Sequence, residues 1–154
     1  MHRGLFFANW GPVVLWAALI FCFSTESFSA PQTAQIIGPV LRWFIPWISP
    51  RQLEAIHLVI RKLGHWSEYF VFATLVLRAL HRQSSGYLEF RHSALTTAVV
   101  FLYAISDELH QAFVPHRTAS FGDVLIDLFG GLCAIFCLNL LNRAKRKSWK
   151  SRQS

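Results

Sequence analysis

Three short blocks of this chain carry the residue types that chemistry needs. In the first, His65, Glu68 and Tyr69 stand at i, i+3 and i+4, which puts them on one face of a helix. In the second, Tyr103, Asp107, His110 and Gln111 share a helical face, with Glu108 beside Asp107. In the third, Asp123 and Asp127 lie one turn apart and lead into the small residues Gly130 and Ala134. Arg117 sits between the second and third blocks, and Glu26 closes the first apolar run. Crowded carboxylates disfavour one another's ionisation, which suits general acid–base work, so Glu68, Asp107 and Glu108 are the catalytic candidates. His65, Glu68, Asp107 and His110 offer hard and borderline donors, which makes a divalent metal a candidate cofactor. Arg117 suits a phosphate or carboxylate.

Several familiar sites are absent. His65-x-x-Glu68 lacks the second histidine of a zincin helix. There is no Gly-x-Ser-x-Gly elbow and no phosphate loop. The three cysteines, Cys22, Cys133 and Cys137, all lie in apolar runs at spacings that suit neither a disulfide framework nor a zinc site.

The elements that must position these residues follow from composition. The chain has 154 residues, 53% of them hydrophobic and only 15% charged, against about 25% charged in a typical soluble domain. Mean hydropathy is +0.36. A soluble globule with so little polar cover would leave large apolar patches in water. Net charge is +7, but the placement of the charge argues against nucleic acid. Arg143, Lys145, Arg146, Lys147, Lys150 and Arg152 form a basic tail directly after an apolar run, which reads as a cytoplasmic anchor at an anionic leaflet.

A spanning helix needs about 20 mostly apolar residues. Candidate spans are Leu5 to Phe23, Leu63 to Leu80, Ser93 to Val114 and Ser120 to Leu141. The first reads as a retained signal anchor, because Phe28 is too bulky for cleavage after Ala30. The expected fold is an all-α bundle of four transmembrane helices, comprising one domain over 1–142 and a basic cytoplasmic tail over 143–154. With both termini cytoplasmic, ten of the 15 Lys and Arg residues fall inside, in accord with the positive-inside rule. The first outer loop carries Ile36, Ile37, Val40, Leu41, Trp43, Phe44, Ile45, Trp47 and Ile48, which reads as an interfacial or re-entrant segment. Ser49 then offers an N-cap and Pro50 a first helical residue, opening a short amphipathic helix that leads into the second span.

This topology brings Glu26, His65, Glu68, Asp107, Glu108, His110, Arg117, Asp123 and Asp127 to the outer side, with six of the eight acids in the chain. Ionisable groups in a membrane are costly and face a bundle interior or a wet cavity, so they are functional candidates by default. The competing reading is a packing network that holds the helices together. For Tyr69 and Tyr103, membrane-belt placement competes with a site role. His57, His81, His92 and His116 are left unassigned.

Arg61-Lys62-Leu63-Gly64-His65-Trp66-Ser67-Glu68-Tyr69, then Ser106-Asp107-Glu108-Leu109-His110-Gln111-Ala112-Phe113-Val114-Pro115-His116-Arg117, then Ser120, Asp123-Val124-Leu125-Ile126-Asp127 and Gly130 together resemble the VanZ-like family. That family's pattern is Lys-x-x-His-x-x-Glu-Tyr, then Asp-Glu-x-x-Gln-x-Phe followed by Pro-Gly-Arg, then an Asp with a second Asp or Asn one turn on. The resemblance covers roughly Arg61 to Gly131, and it departs at His116, where the family usually has glycine. It implies a small multi-pass protein of the bacterial cytoplasmic membrane, of a family whose founding members are linked to resistance to teicoplanin-type glycopeptide antibiotics. It carries over Lys62, His65, Glu68, Tyr69, Asp107, Glu108, Gln111, Arg117, Asp123 and Asp127. With Glu26 and His110 these make the candidate ligand-binding set. The expected partner is a membrane lipid or lipid-linked cell-wall precursor bound by its headgroup. The competing expectation is a membrane-embedded hydrolase or transferase on a lipid-linked substrate.

Overall fold

The computed structural model describes residues 2–83 and 90–151, so Arg152 of the basic tail lies outside the described residues. The described residues are helical, with no strand among them. They form α1 (His2–Phe23), a short 3-10 turn (Glu26–Phe28), α2 (Ala30–Phe44), α3 (Pro50–Gln83), α4 (Phe90–Gln111) and α5 (Phe121–Ser151).

α3 differs from the expected pair of segments. It is one helix of 34 residues, about 51 Å long at 1.5 Å per residue. No proline follows Pro50 in it, so nothing breaks the helix between the amphipathic start and Leu63. Its start is capped as the sequence indicates, in a reciprocal box. The Ser49 hydroxyl accepts from the Gln52 backbone N–H at 3.3 Å, and Gln52 Oε1 accepts from the Ser49 N–H at 3.0 Å. α2 takes up the aromatic segment of the first loop. Its apolar residues point outward, with Ile36, Val40, Trp43 and Phe44 all exposed, while Gly38 is buried near Leu53 of α3.

The second half of α3 is the central rod, packed against α1, α4 and α5. Tyr69, Phe72, Ala73, Val76 and Leu77 are buried there. α5 comes closest. A Cβ on Gly130 would collide with the Trp66 carbonyl, and Ala134 one turn on is fully buried. Small residues allow this backbone approach.

The remaining faces are turned inside out relative to a soluble protein. α4 exposes Leu95, Val99, Leu102 and Leu109 on one face and buries Thr96, Asp107, Glu108 and Gln111 on the other. α1 exposes Phe7, Val14 and Leu15 while burying Asn9. Among the described residues, two helices carry segments long and apolar enough to cross a membrane, Phe6–Phe23 and Phe121–Ala144. α3 and α4 fall short of that measure because they carry the polar residues that the bundle buries.

Candidate functional site

Polar groups from α3, α4 and α5, with Ser24 just past the end of α1, meet at one end of the bundle. One ring nitrogen of His65 and one carboxylate oxygen from each of Asp107, Glu108 and Asp127 all lie within 4.8 Å of one another. Asp127 is 0% exposed, Asp107 4% and Glu108 6%. His65 Nδ1 is 3.2 Å from Asp127 Oδ1, yet neither atom has a hydrogen-bond partner among the described residues. Both Asp127 oxygens and Glu108 Oε1 are likewise unpartnered.

The other oxygens of the cluster are held in place. The Ser24 hydroxyl donates to Asp107 Oδ1, and Gln111 Nε2 donates to Asp107 Oδ2 at 3.1 Å. The Ser120 backbone N–H donates to Glu108 Oε2 at 2.7 Å, which ties the end of α4 to the residue that opens α5. Around the cluster, the Trp16 indole donates to the Glu68 carbonyl at 2.9 Å and the Tyr103 hydroxyl to the Ala17 carbonyl at 2.6 Å. These bonds fix α1 against α3 and α4.

The fixed cations nearby are partly committed. Lys62 pairs with Asp123, which links α3 to α5 and removes Asp123 from the cluster. Arg117 donates to the carbonyls of Phe23 and Thr25, capping the end of α1. Burial pushes the Arg117 guanidinium below its ordinary range, and the charge of Arg61 adds to that.

Beside the cluster lies a cavity of about 260 Å³. Its apolar wall is Phe23, Phe28, Ile37 and Ile60. Its polar wall includes Arg61, His65, Glu68, Gln111 and Arg117. His65 therefore belongs to both the cavity and the carboxylate cluster. Among the described residues, Arg61 has no hydrogen bond or ion pair.

The expected residues separate into groups. The metal candidates differ at two positions from those read in the sequence: Glu108 and Asp127 join His65 and Asp107, in place of Glu68 and His110. Glu68 lines the cavity instead, and His110 stacks on Phe21 with ring centroids 4.2 Å apart. Tyr69 is wholly buried and Tyr103 half-buried, with ring centroids 6.3 Å apart, and the Tyr69 hydroxyl is unpartnered among the described residues. Glu26 lies at the exposed rim, 3.7 Å from His116. Ser24 carries no sequence signal for the site, and Arg61 and Ser120 stand in the family-like blocks without belonging to the candidate set. Ser24 and Ser120 reach the site through long-range bonds that no spacing encodes. Arg61 stands one turn before His65, the one signal that places it on the same helix face.

A family model described as VanZ/LLP1 matches residues 9–142. No curated protein matches the chain. No solved structure matches it.

Proposed function

This chain belongs to the VanZ/LLP1 family, and we propose that it is a multi-pass protein of the bacterial cytoplasmic membrane whose outer-leaflet pocket binds the anionic headgroup of a lipid or lipid-linked cell-wall precursor. In this reading α1, the second half of α3, α4 and α5 are the four spans, and both termini are cytoplasmic. The apolar outer faces of α4 and α5 and the buried acids support it, because lipid reverses the placement that water would favour. The basic residues around the helix ends support the orientation. Binding of such a precursor would be the link to resistance against teicoplanin-type glycopeptides.

The observation that carries this reading is the cavity wall. Arg61 and Arg117 line one cavity whose other side is aromatic and aliphatic, and of the two Arg61 is the one not engaged by backbone carbonyls. An anionic headgroup with acyl or prenyl chain attached presents the same two chemistries. Arginine forks match phosphate geometry. The volume is slightly below the roughly 300 Å³ at which drug-sized ligand pockets begin, which suits a small headgroup. The test is lipid retention by the purified full chain in nanodiscs. Phosphatidylglycerol should be retained over phosphatidylcholine, and Arg61→Gln should weaken that preference about tenfold. Equal retention of the two lipids by the unsubstituted protein would overturn the reading.

A second reading, a membrane-embedded hydrolase or transferase on a lipid-linked substrate, is favoured by one observation. The Glu68 carboxylate lines the same cavity as the two arginines, where a general base would have to stand. It requires turnover of the bound lipid that is lost in Glu68→Gln while binding persists.

A further inference from the structure

We propose that His65, Asp107, Glu108 and Asp127 hold a resident divalent cation of the Mn²⁺ or Zn²⁺ type, behind the inner wall of the cavity. The ion site needs no headgroup to exist, so it stands or falls apart from the function proposed above.

The argument begins with Asp127. It is wholly buried, and neither of its oxygens has a hydrogen-bond partner. A buried carboxylate left in that state is costly unless something positive compensates it. Lys62 is spent on Asp123 and Arg117 on the carbonyls of Phe23 and Thr25, while Arg61 lines the cavity and is no member of the carboxylate group. Three carboxylates then face one imidazole. A proton on His65 would offset one charge of the three.

Geometry points the same way. His65 Nδ1 and Asp127 Oδ1 approach to 3.2 Å without the alignment of a hydrogen bond. Two donors that each sit about 2.0–2.2 Å from a shared ion, at tetrahedral or octahedral angles, stand roughly 2.8–3.6 Å apart. The four donor atoms lie within 4.8 Å of one another, a little wider than the about 4.4 Å between opposite donors of one ion, so the ligands would close in by a few tenths of an ångström on binding. The bonds from Ser24, Gln111 and Ser120 are what ligand carboxylates require, because second partners orient them while leaving lone pairs free. One imidazole with three carboxylates suits a borderline cation rather than Mg²⁺, which prefers oxygen alone, or Cu⁺, which prefers sulfur.

The test uses the full chain purified in detergent without chelator. Elemental analysis should find close to one Mn²⁺ or Zn²⁺ per chain. After chelation and dialysis, titration with MnCl₂ or ZnCl₂ should restore one site. Asp127→Asn should weaken that binding at least 100-fold, and Gln111→Leu, which removes only an orienting bond, about tenfold. Glu54→Gln, on the exposed face of α3, should leave it unchanged. Circular dichroism distinguishes a lost site from a lost fold, and Glu108→Gln serves if Asp127→Asn does not fold. Arg61→Gln should keep the metal while losing headgroup preference, which separates the two readings. A folded protein that takes up neither ion, or one that takes it up as tightly in Asp127→Asn and Glu108→Gln as without substitution, would overturn the assignment.

Discussion

His65 Nδ1 stands 3.2 Å from Asp127 Oδ1 across the α3–α5 contact, about one helical turn from the point where Gly130 admits the Trp66 carbonyl. The two features depend on each other. Asp127 reaches His65 only because α5 lies against the α3 backbone, and α5 lies there only because position 130 lacks a Cβ. Gly130→Ala is therefore expected to push the helices apart. Overpacking of this kind costs about 1–3 kcal/mol. A lower thermal midpoint in detergent, with weakened Mn²⁺ or Zn²⁺ binding, is the expected outcome. An unchanged midpoint would mean that the contact is looser than described.

Arg117 is expected to matter for structure before it matters for any ligand. It donates to the Phe23 carbonyl at the open end of α1, where helix carbonyls lack partners, and to the Thr25 carbonyl, which also accepts from the Phe28 N–H in the turn that follows. A hydrogen bond to a charged group is worth about 1.5–3 kcal/mol. Arg117→Leu should lose about that much and raise hydrogen exchange at the end of α1. Arg117→Lys should rescue only part of it, because an ammonium cannot fork across two carbonyls. Full rescue by lysine would show that charge alone is at work.

How much of this was legible in the sequence depended on the range of each interaction. Helical spacing grouped His65 with Glu68 and Tyr69, and marked Asp127, Gly130 and Ala134 as an inward stripe, because those relations are local. The Ser49–Pro50–Gln52 start of α3 was also local. The full length of α3 is not legible in the sequence, since hydropathy drops between Arg61 and Glu68 and Gly64 stands there, although no proline does. The role of Arg61 was hidden, because a basic residue in a presumed outer loop looks like a surface charge until α1 and α2 close a cavity around it. The Ser24–Asp107 bond joins side chains 83 residues apart, the bonds of Ser120 and Arg117 run through backbone atoms, and side-chain type alone does not announce any of them.

His116 occupies the left-handed region, with φ of 60°. That conformation explains why glycine is the usual residue there in the family pattern. It costs an L-residue about 1–2 kcal/mol, although His tolerates it better than most residues. Its exposed contact with Glu26 returns at most about 1 kcal/mol. His116→Gly is accordingly expected to be neutral or to stabilise by up to about 1 kcal/mol, while His116→Val should destabilise. Thermal melts of the two variants, side by side, check both signs. A marked loss with glycine would mean that the His116–Glu26 contact dominates.

Acidification is expected to loosen α2. His57, on the outer part of α3, has its Nε2 2.9 Å from Thr33 Oγ1 of α2. The Thr33 hydroxyl donates to the Ser29 carbonyl at 2.9 Å, so the His57 Nε2–H donates to it in either charge state, and what acidification adds is a positive charge on a ring packed between α2 and Arg61. Burial holds the His57 imidazole below its ordinary value of 6.5, and the neighbouring Arg61 charge pushes it the same way. The folded state thus binds fewer protons than the unfolded chain just below pH 6.5. Stability from this group is fully present above that pH and is lost as pH falls through the lowered value. Since Thr33 and Arg61 both line the cavity, the loosening should reach the cavity mouth. Trp43 and Trp47 report on this corner, and their emission should shift between pH 7.5 and pH 5 in the native protein. His57→Gln, which keeps a donor but cannot titrate, should flatten that response. An identical response in the variant would assign the pH dependence to another group.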